Sequence, residues 1–351
     1  MCPTLFTIPW VNLPIRGYGL MLMVAFLGGT WWASRRAGRV KQDPDFAVNM
    51  GFVALLCSVV GARLFYVVHY WDRFVGRSIW EMVNLTAGGL EFYGGFIGAM
   101  VGVLAFMLIK RVSIRLYLDI FAPSLMVGMA AARIGCYLNG CCWGAPAPPQ
   151  LAWAVQFPYA SPAQHRQWEE RMVTLPAELI MVYSNGQAYP LSRDVLDLGD
   201  KQVDKAQRQL VEAQARRYGH TLDDLRKMAA SKAYASLAVH PAQIYASLNG
   251  LIMAFLLSVI FYRRRRHGLV FGLMMLLYPL CRIAEEMIRT DNPRDTAGLT
   301  VSQFVSVVII LIGAAWLAAI YRMPLRSPRA TPFVWPPPGP APSPRKNKKP
   351  H

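Results

Sequence analysis

Charged residues are scarce in this chain: they fill 16% of its 351 positions against 54% for hydrophobic ones, and only 20 residues are acidic. The apolar residues fall in long runs and not in short amphipathic stripes, which excludes an ordinary soluble domain. A removable signal peptide is also missing, because Met1 to Arg16 offers no basic region, proper apolar run or small-residue cleavage site. The first spanning helix is therefore expected to direct insertion itself. Cysteines are few, six in all, and Cys2, Cys57, Cys136, Cys141, Cys142 and Cys281 do not make the paired framework of a small secreted protein. No nucleotide motif and no standard metal spacing occurs, so no cofactor is expected and no metal site is assigned. Internal repeats are absent as well, which argues against a transporter built from matched halves.

What is present is a large positive excess, net charge +17, placed in short loops and a tail. It is not spread over a face interleaved with aromatics, so nucleic acid is excluded as a partner and the anionic headgroups of membrane lipids are expected instead. Seven stretches are apolar enough to cross a hydrocarbon core, which takes about 20 helical residues. They lie near 17–35, 47–70, 92–110, 117–136, 240–262, 268–289 and 300–321. The fourth is the weakest, because Pro123, Gly128 and Gly135 interrupt it and Arg133 lies within it; it is either kinked or enters and leaves on one side.

Positive charge is retained on the cytoplasmic side, so loop composition sets the orientation. Arg35, Arg36, Arg39 and Lys41, then Lys110, Arg111 and Arg115, then Arg263 to Arg266, mark three cytoplasmic loops. The loops at 71–91 and 290–299 are poor in net positive charge and face outward. The expected fold is thus an all-α integral membrane protein of about seven transmembrane helices, N-terminus periplasmic and C-terminus cytoplasmic, in a bacterial inner membrane. Its parts are a first membrane portion of four helices (1–145), a periplasmic insert (146–239), a second membrane portion of three helices (240–322) and a disordered, Pro-rich, basic cytoplasmic tail (323–351). The insert is nearly balanced in charge, with helical stretches at Asp200 to Arg217 and Leu222 to Leu237, the second opened by a Thr221/Asp224 pair that resembles a capping box. It either gates the active face or receives a protein substrate there, or it is a plain spacer.

Ionisable side chains inside spans are costly, and here they lie near the outer side. Arg63 falls in the second helix, Arg133 near the end of the fourth, and Arg282, Glu286 and Arg289 in the last third of the sixth. The i, i+4, i+7 spacing of Arg282, Glu286 and Arg289 puts them on one face with Tyr278, and Glu285 is expected to point elsewhere. Arg282 and Glu286 either neutralise each other as architecture, or Arg133 and Arg282 converge on a phosphodiester with Glu286 orienting one of them. Arg63 and Arg289 are expected to snorkel toward headgroups. Glycines at Gly88, Gly89, Gly94 and Gly95 and from Gly135 to Gly144 either let backbone N–H groups approach an anion or permit close helix packing.

Five collinear motifs together resemble the prolipoprotein diacylglyceryl transferase family. They are Arg16-Gly17-Tyr18-Gly19-Leu20-Met21, the glycine-rich run Gly88 to Gly98, Ala131 to Gly144, His240-Pro241-Ala242-Gln243-Ile244-Tyr245, and Tyr278 to Asp291. The resemblance covers roughly 15–145 and 240–310 and leaves the insert and tail unmatched. It implies transfer of the diacylglyceryl group of phosphatidylglycerol to the lipobox cysteine of a secreted prolipoprotein precursor, with release of glycerol phosphate, at a periplasmic active site. By it Tyr18, Arg133, Asn139, Gly144, Arg282 and Glu286 carry over as donor-binding or catalytic positions; Gly94 and Gly95 are expected at the phospholipid through their backbone N–H groups.

Two departures qualify that expectation. Tyr93 stands where the family usually has a histidine, and a phenol is a poor base at neutral pH; His240 is the favoured replacement, against a capping or packing role. Cys136 stands where the family more often has an asparagine, with Cys141 and Cys142 in place of an acidic and an apolar residue. A disulfide between Cys136 and Cys141, or plain small-residue packing, is expected ahead of a metal. The alternative function is a catalytically altered paralogue that binds or moves phospholipid.

Overall fold

The computed structural model describes residues 4–8, 13–85, 88–182, 186–192, 195–196, 205–289, 298–330 and 332, with backbone alone at 4–8, 13–15 and 205–207. Every stretch expected to span is a helix: α1 Gly17–Arg39, α2 Pro44–His69, α4 Phe92–Ile109, α5 Ile114–Asn139, α9 Ala242–Arg263, α10 Leu269–Ile288 and α11 Val301–Tyr321. The short helices are α3 Ile79–Val83, α6 Pro162–Glu169, α7 Lys205–Arg217 and α8 Leu222–Ala230. Five helices, α2, α4, α5, α9 and α11, are long and apolar enough to cross a bilayer by length and composition, as befits a multi-pass membrane protein. The other two fall short for visible reasons: α10 ends in Arg282, Glu285 and Glu286, and α1 carries Gly28-Gly29-Thr30-Trp31-Trp32.

Local chemistry explains the boundaries. Asp43 caps α2, accepting from the Asp45 N–H at 2.9 Å, with Pro44 in the first turn where no amide is needed. Despite Pro123, α5 is one helix of 26 residues, about 39 Å at 1.5 Å per residue. A segment that leaves by the side it entered is therefore not what forms. Two small antiparallel hairpins, β1 Thr4–Ile8 with β2 Leu13–Arg16 and β3 Ile180–Val182 with β4 Ala188–Pro190, were not expected in an all-α chain.

The chain divides into two compact units. The first comprises Met1–Phe26, Leu125–Leu256 and Leu273–Trp316. In it α9 lies against α5, the Ser247 hydroxyl donating to the Ala130 carbonyl at 3.0 Å, and Gly250 is seated on Met126 and Ala130. The insert has its own core of Tyr159, Leu179, Leu191, Leu196, Val211, Ala215 and Leu225. The capping box is formed: Thr221 and Asp224 satisfy each other's backbone N–H at the start of α8. That helix stops at Ala230, short of the expected Leu237, and a single 3-10 turn follows at Lys232–Tyr234. The insert's two ends are zipped together by bridges from Val239 to Pro146 and to Val155. Residues 200–204 of the expected first helix of the insert lie outside the described residues.

The second unit comprises Leu27–Ser124, Leu257–Gly272 and Leu317–His351. Here α2 and α4 cross closely through glycines: a Cβ on Gly98 would sit 2.9 Å from the Gly61 Cα, and one on Gly94 would collide with Phe65 and the Gly61 carbonyl. Two residues assigned to loops by charge counting are instead buried. Arg36 donates to the Ile120 carbonyl and the Ser124 hydroxyl, both at 2.9 Å, and to Ser258 at 3.1 Å. Arg264 pairs with buried Asp119 at 2.7 Å, and Asp119 also accepts from the Gly268 and Phe271 amides. The start of the tail is held, not loose: Arg266 bonds the Met323 carbonyl at 2.7 Å and the His267 amide bonds that of Leu325 at 2.9 Å. Residues 333–351 and the loop at 290–297 lie outside the described residues.

Candidate active site

The end of α5, the turn after it and the end of α10 bring most of the expected site residues together in the first unit. The Tyr278 phenol lies within electrostatic reach of Arg133, Arg282 and Glu285. Arg133 and Arg282, from two helices, therefore face one hydroxyl. Tyr18 joins them from α1: its ring lies over Gly135, where a Cβ would be 3.3 Å from Cδ2, and its hydroxyl senses Arg133 and the three cysteines.

Arg282 is doubly held. It reaches Glu286 at 2.8 Å and Glu285 at 3.6 Å, so Glu285 does not point elsewhere, as the helical rotation argument expected. A long arginine side chain reaches both the i+3 and the i+4 positions on a helix. Glu285 accepts from Asn249 at 2.9 Å, and Glu286, with its side chain 1% exposed, accepts from the Thr300 hydroxyl at 3.0 Å. Sequence reasoning missed Asn249 and Thr300, since nothing marks a neutral partner on a distant helix. Arg289 is buried 3.9 Å from Glu286 and does not snorkel outward.

The turn after α5 is shaped by left-handed backbone at Gly140 (φ 75°) and Cys142 (φ 59°). It gathers the thiols of Cys136, Cys141 and Cys142 within 4.8 Å of one another, all free, so the expected Cys136–Cys141 disulfide is not formed. The Cys141 thiol donates to the Cys136 carbonyl at 3.7 Å with Asn139 close by, and Gln243 donates to the Cys141 carbonyl at 2.7 Å. Hydrogen bonds from the Cys136 and Cys141 thiols, then the charges of Arg289 and Arg133, hold the Cys142 thiol below its ordinary value against an opposing effect of burial.

Gly144 and His240 meet through backbone. The Gly144 amide donates to the His240 carbonyl at 3.0 Å, and a Cβ on Gly144 would lie 2.8 Å from that of His240. The His240 ring faces the Tyr245 hydroxyl at 3.4 Å, which in turn accepts from the Trp153 indole at 2.7 Å.

The remaining residues singled out from sequence belong to the second unit. Tyr93 is exposed in the first turn of α4. Gly94 and Gly95 are buried against α2, and the Gly95 amide already bonds the Glu91 carbonyl at 3.1 Å. Arg63, expected to snorkel, is instead buried and gathers a loop: its guanidinium donates to the carbonyls of Glu81, Met82, Gly88 and Gly89 at 2.6–3.0 Å.

The family profile described as prolipoprotein diacylglyceryl transferase matches residues 3–319. A phosphatidylglycerol–prolipoprotein diacylglyceryl transferase of Ralstonia pickettii (strain 12J) is 30% identical over 88% of this chain and 91% of its own length. Proteins of the same name from Paraburkholderia xenovorans (strain LB400) and Clostridium tetani (strain Massachusetts / E88) are 26% and 22% identical, over 90% and 89% of this chain and 92% and 95% of their own lengths.

Proposed function

Because the chain belongs to the prolipoprotein diacylglyceryl transferase family, we propose that it moves the diacylglyceryl group of phosphatidylglycerol onto the lipobox cysteine of a secreted prolipoprotein. In this reading the helices make seven spans of a bacterial inner membrane, with the N-terminus and the insert (146–239) periplasmic and the tail from 323 cytoplasmic. The active site then opens to the periplasm. The named relatives lend no support to the alternative of an altered, non-catalytic lipid binder.

The observation that carries the proposal is that Arg133 and Arg282, from different helices, both lie within electrostatic reach of the Tyr278 hydroxyl. A planar, permanently charged guanidinium suits a phosphodiester, and two from different helices can grip one from two sides. The reaction breaks the bond between the glycerol carbon of the diacylglyceryl group and its phosphate oxygen, and forms a carbon–sulfur bond to the peptide cysteine. The thiol proton passes to a base, and the departing phosphate leaves as glycerol phosphate. Negative charge grows on that phosphate in the transition state, where Arg133 and Arg282 stabilise it. Glu286, with Glu285, fixes the direction of Arg282. Tyr18 shapes the headgroup site, Gly144 and Asn139 hold the turn beside it, and His240 takes the thiol proton, with Tyr245 orienting its ring.

The test is reconstitution of the full chain in phosphatidylglycerol vesicles with a lipobox peptide, following the thioether product by mass. Arg133→Gln is expected to cut turnover by roughly 100-fold or more, the cost of losing one donor to a developing anion. Product formed by the wild type and unchanged by Arg133→Gln defeats the assignment. For His240→Gln the expected result is a lower rate with a changed pH profile; an unaltered profile removes it as the base.

A further inference from the structure

We infer that Cys136, Cys141 and Cys142 form a three-sulfur binding site for a thiophilic metal ion, copper(I). Three features carry this. The sulfurs lie within 4.8 Å of one another and none is bonded to another; a metal about 2.3 Å from each of three sulfurs in a plane spaces them about 4 Å apart. Neighbouring side chains such as those of Cys141 and Cys142 ordinarily diverge. Here Cys142 adopts φ 59°, a conformation that L side chains rarely take, and this turns its sulfur back to meet the other two. The turn is also pinned from outside, by Gln243 on the Cys141 carbonyl and by Phe157 and Ser161 packed on Gly140.

The occupant follows from the donor set. Zinc takes four ligands in a structural site, and among the described residues no histidine or carboxylate joins the three thiols. Copper(I) is soft, prefers thiolate sulfur and accepts three ligands. On binding, the thiols lose their protons to solvent as the copper–sulfur bonds form, and the resulting excess of negative charge faces the guanidinium groups of Arg133 and Arg289. No change in oxidation state is involved. All three cysteines are half-buried, so an ion can reach them.

The test uses the purified, reduced full-length protein in detergent under anaerobic conditions, titrated with copper(I) in competition with the chromophoric chelator bicinchoninate. One copper ion per chain is expected, with a thiolate-to-copper ultraviolet band and three sulfur scatterers in X-ray absorption. Cys136→Ser, Cys141→Ser and Cys142→Ser should each weaken binding by roughly 100-fold or more, at least the loss seen when a residue supporting a metal ligand is removed, while Cys57→Ser and Cys281→Ser leave it unchanged. If a cluster variant fails to fold, alkylation of the wild type still decides: bound copper should shield Cys136, Cys141 and Cys142 from iodoacetamide and leave Cys57 and Cys281 reactive. Absence of binding, binding untouched by the three substitutions, or no shielding overturns the inference. So does a freshly purified protein two hydrogens lighter than its thiol form, with the missing pair mapped to this cluster.

Discussion

Removing the Glu286 carboxylate strips Arg282, whose side chain is 12% exposed, of its closest partner and leaves Glu285, 3.6 Å away, as its remaining acid. Breaking a buried ion pair from one side costs about 3–5 kcal/mol. Glu285 offsets part of this, which places Glu286→Ala near the lower end, about 3 kcal/mol. If Arg282 must hold its direction to meet the leaving phosphate, that loss is felt in the transition state and lowers kcat/KM by roughly 100-fold at about 1.4 kcal/mol per tenfold. Glu286→Gln keeps an acceptor for Arg282 and Thr300 and loses only the charge, so a reduction of roughly tenfold is expected. The assay is the vesicle reaction with a lipobox peptide, run beside thermal unfolding in detergent. A Glu286→Ala enzyme within about twofold of wild type, at this precision of free-energy reasoning, refutes the positioning role. A lowered melting temperature with an unchanged rate for the folded fraction assigns Glu286 to architecture alone.

Arg63→Met leaves the four carbonyls of residues 81, 82, 88 and 89 without their shared donor; a destabilisation of about 4 kcal/mol is expected, read as faster amide exchange across 79–91. Gly98→Leu forces side-chain atoms onto Gly61 and the Cys57 carbonyl and should lower the melting temperature, overpacking costing about 1–3 kcal/mol. The His267 imidazole, in the turn before α10, is held down to about 4 by burial and then by the charges of Arg264, Arg115 and Arg326. Its folded form stays neutral, so the stability it lends is present above its ordinary 6.5 and is lost as pH falls toward about 4. Because the Ser327 amide donates to this ring at 3.2 Å, exchange at 325–327 should quicken over that window, and His267→Leu should abolish the dependence.

The long helices were legible because a run of apolar residues is local information, and the α8 capping box because its two partners are three residues apart. The hairpin at Thr4–Ile8 and Leu13–Arg16 was not, since two short extended segments leave no period to read. Partners proved harder than positions. Arg63 stood out in a span, but carbonyl groups carry no side-chain signature, so its hold on the 81–89 loop could not be seen. Arg36 and Arg264 counted as loop charges because helix ends and loops look alike when only sign is tallied. The expectation for Glu285 weighed only its rotation of about 100° from Glu286, whereas the length of the arginine side chain lets Arg282 reach it at 3.6 Å. The thiol cluster depends on one positive φ at Cys142, which spacing does not reveal.

Partners also sort the arginines by what each can still do. Arg36 is held by a carbonyl and two hydroxyls, Arg63 by four carbonyls, Arg264 by Asp119 and Arg282 by two glutamates. Arg133 meets a phenol and a thiol, Tyr278 and Cys142, and among the described residues no carboxylate pairs with it. A largely buried cation facing such weak counter-charges is held at a cost of a few kcal/mol. An arriving phosphate supplies the missing anion, and the relief of that cost becomes part of its binding energy. Arg133→Gln should therefore stabilise the lipid-free protein, by about 1 kcal/mol, while removing the rise in melting temperature that phosphatidylglycerol gives the wild type. If the substitution instead lowers the lipid-free melting temperature and leaves the lipid-dependent rise intact, Arg133 is a structural residue and the phosphate is held elsewhere.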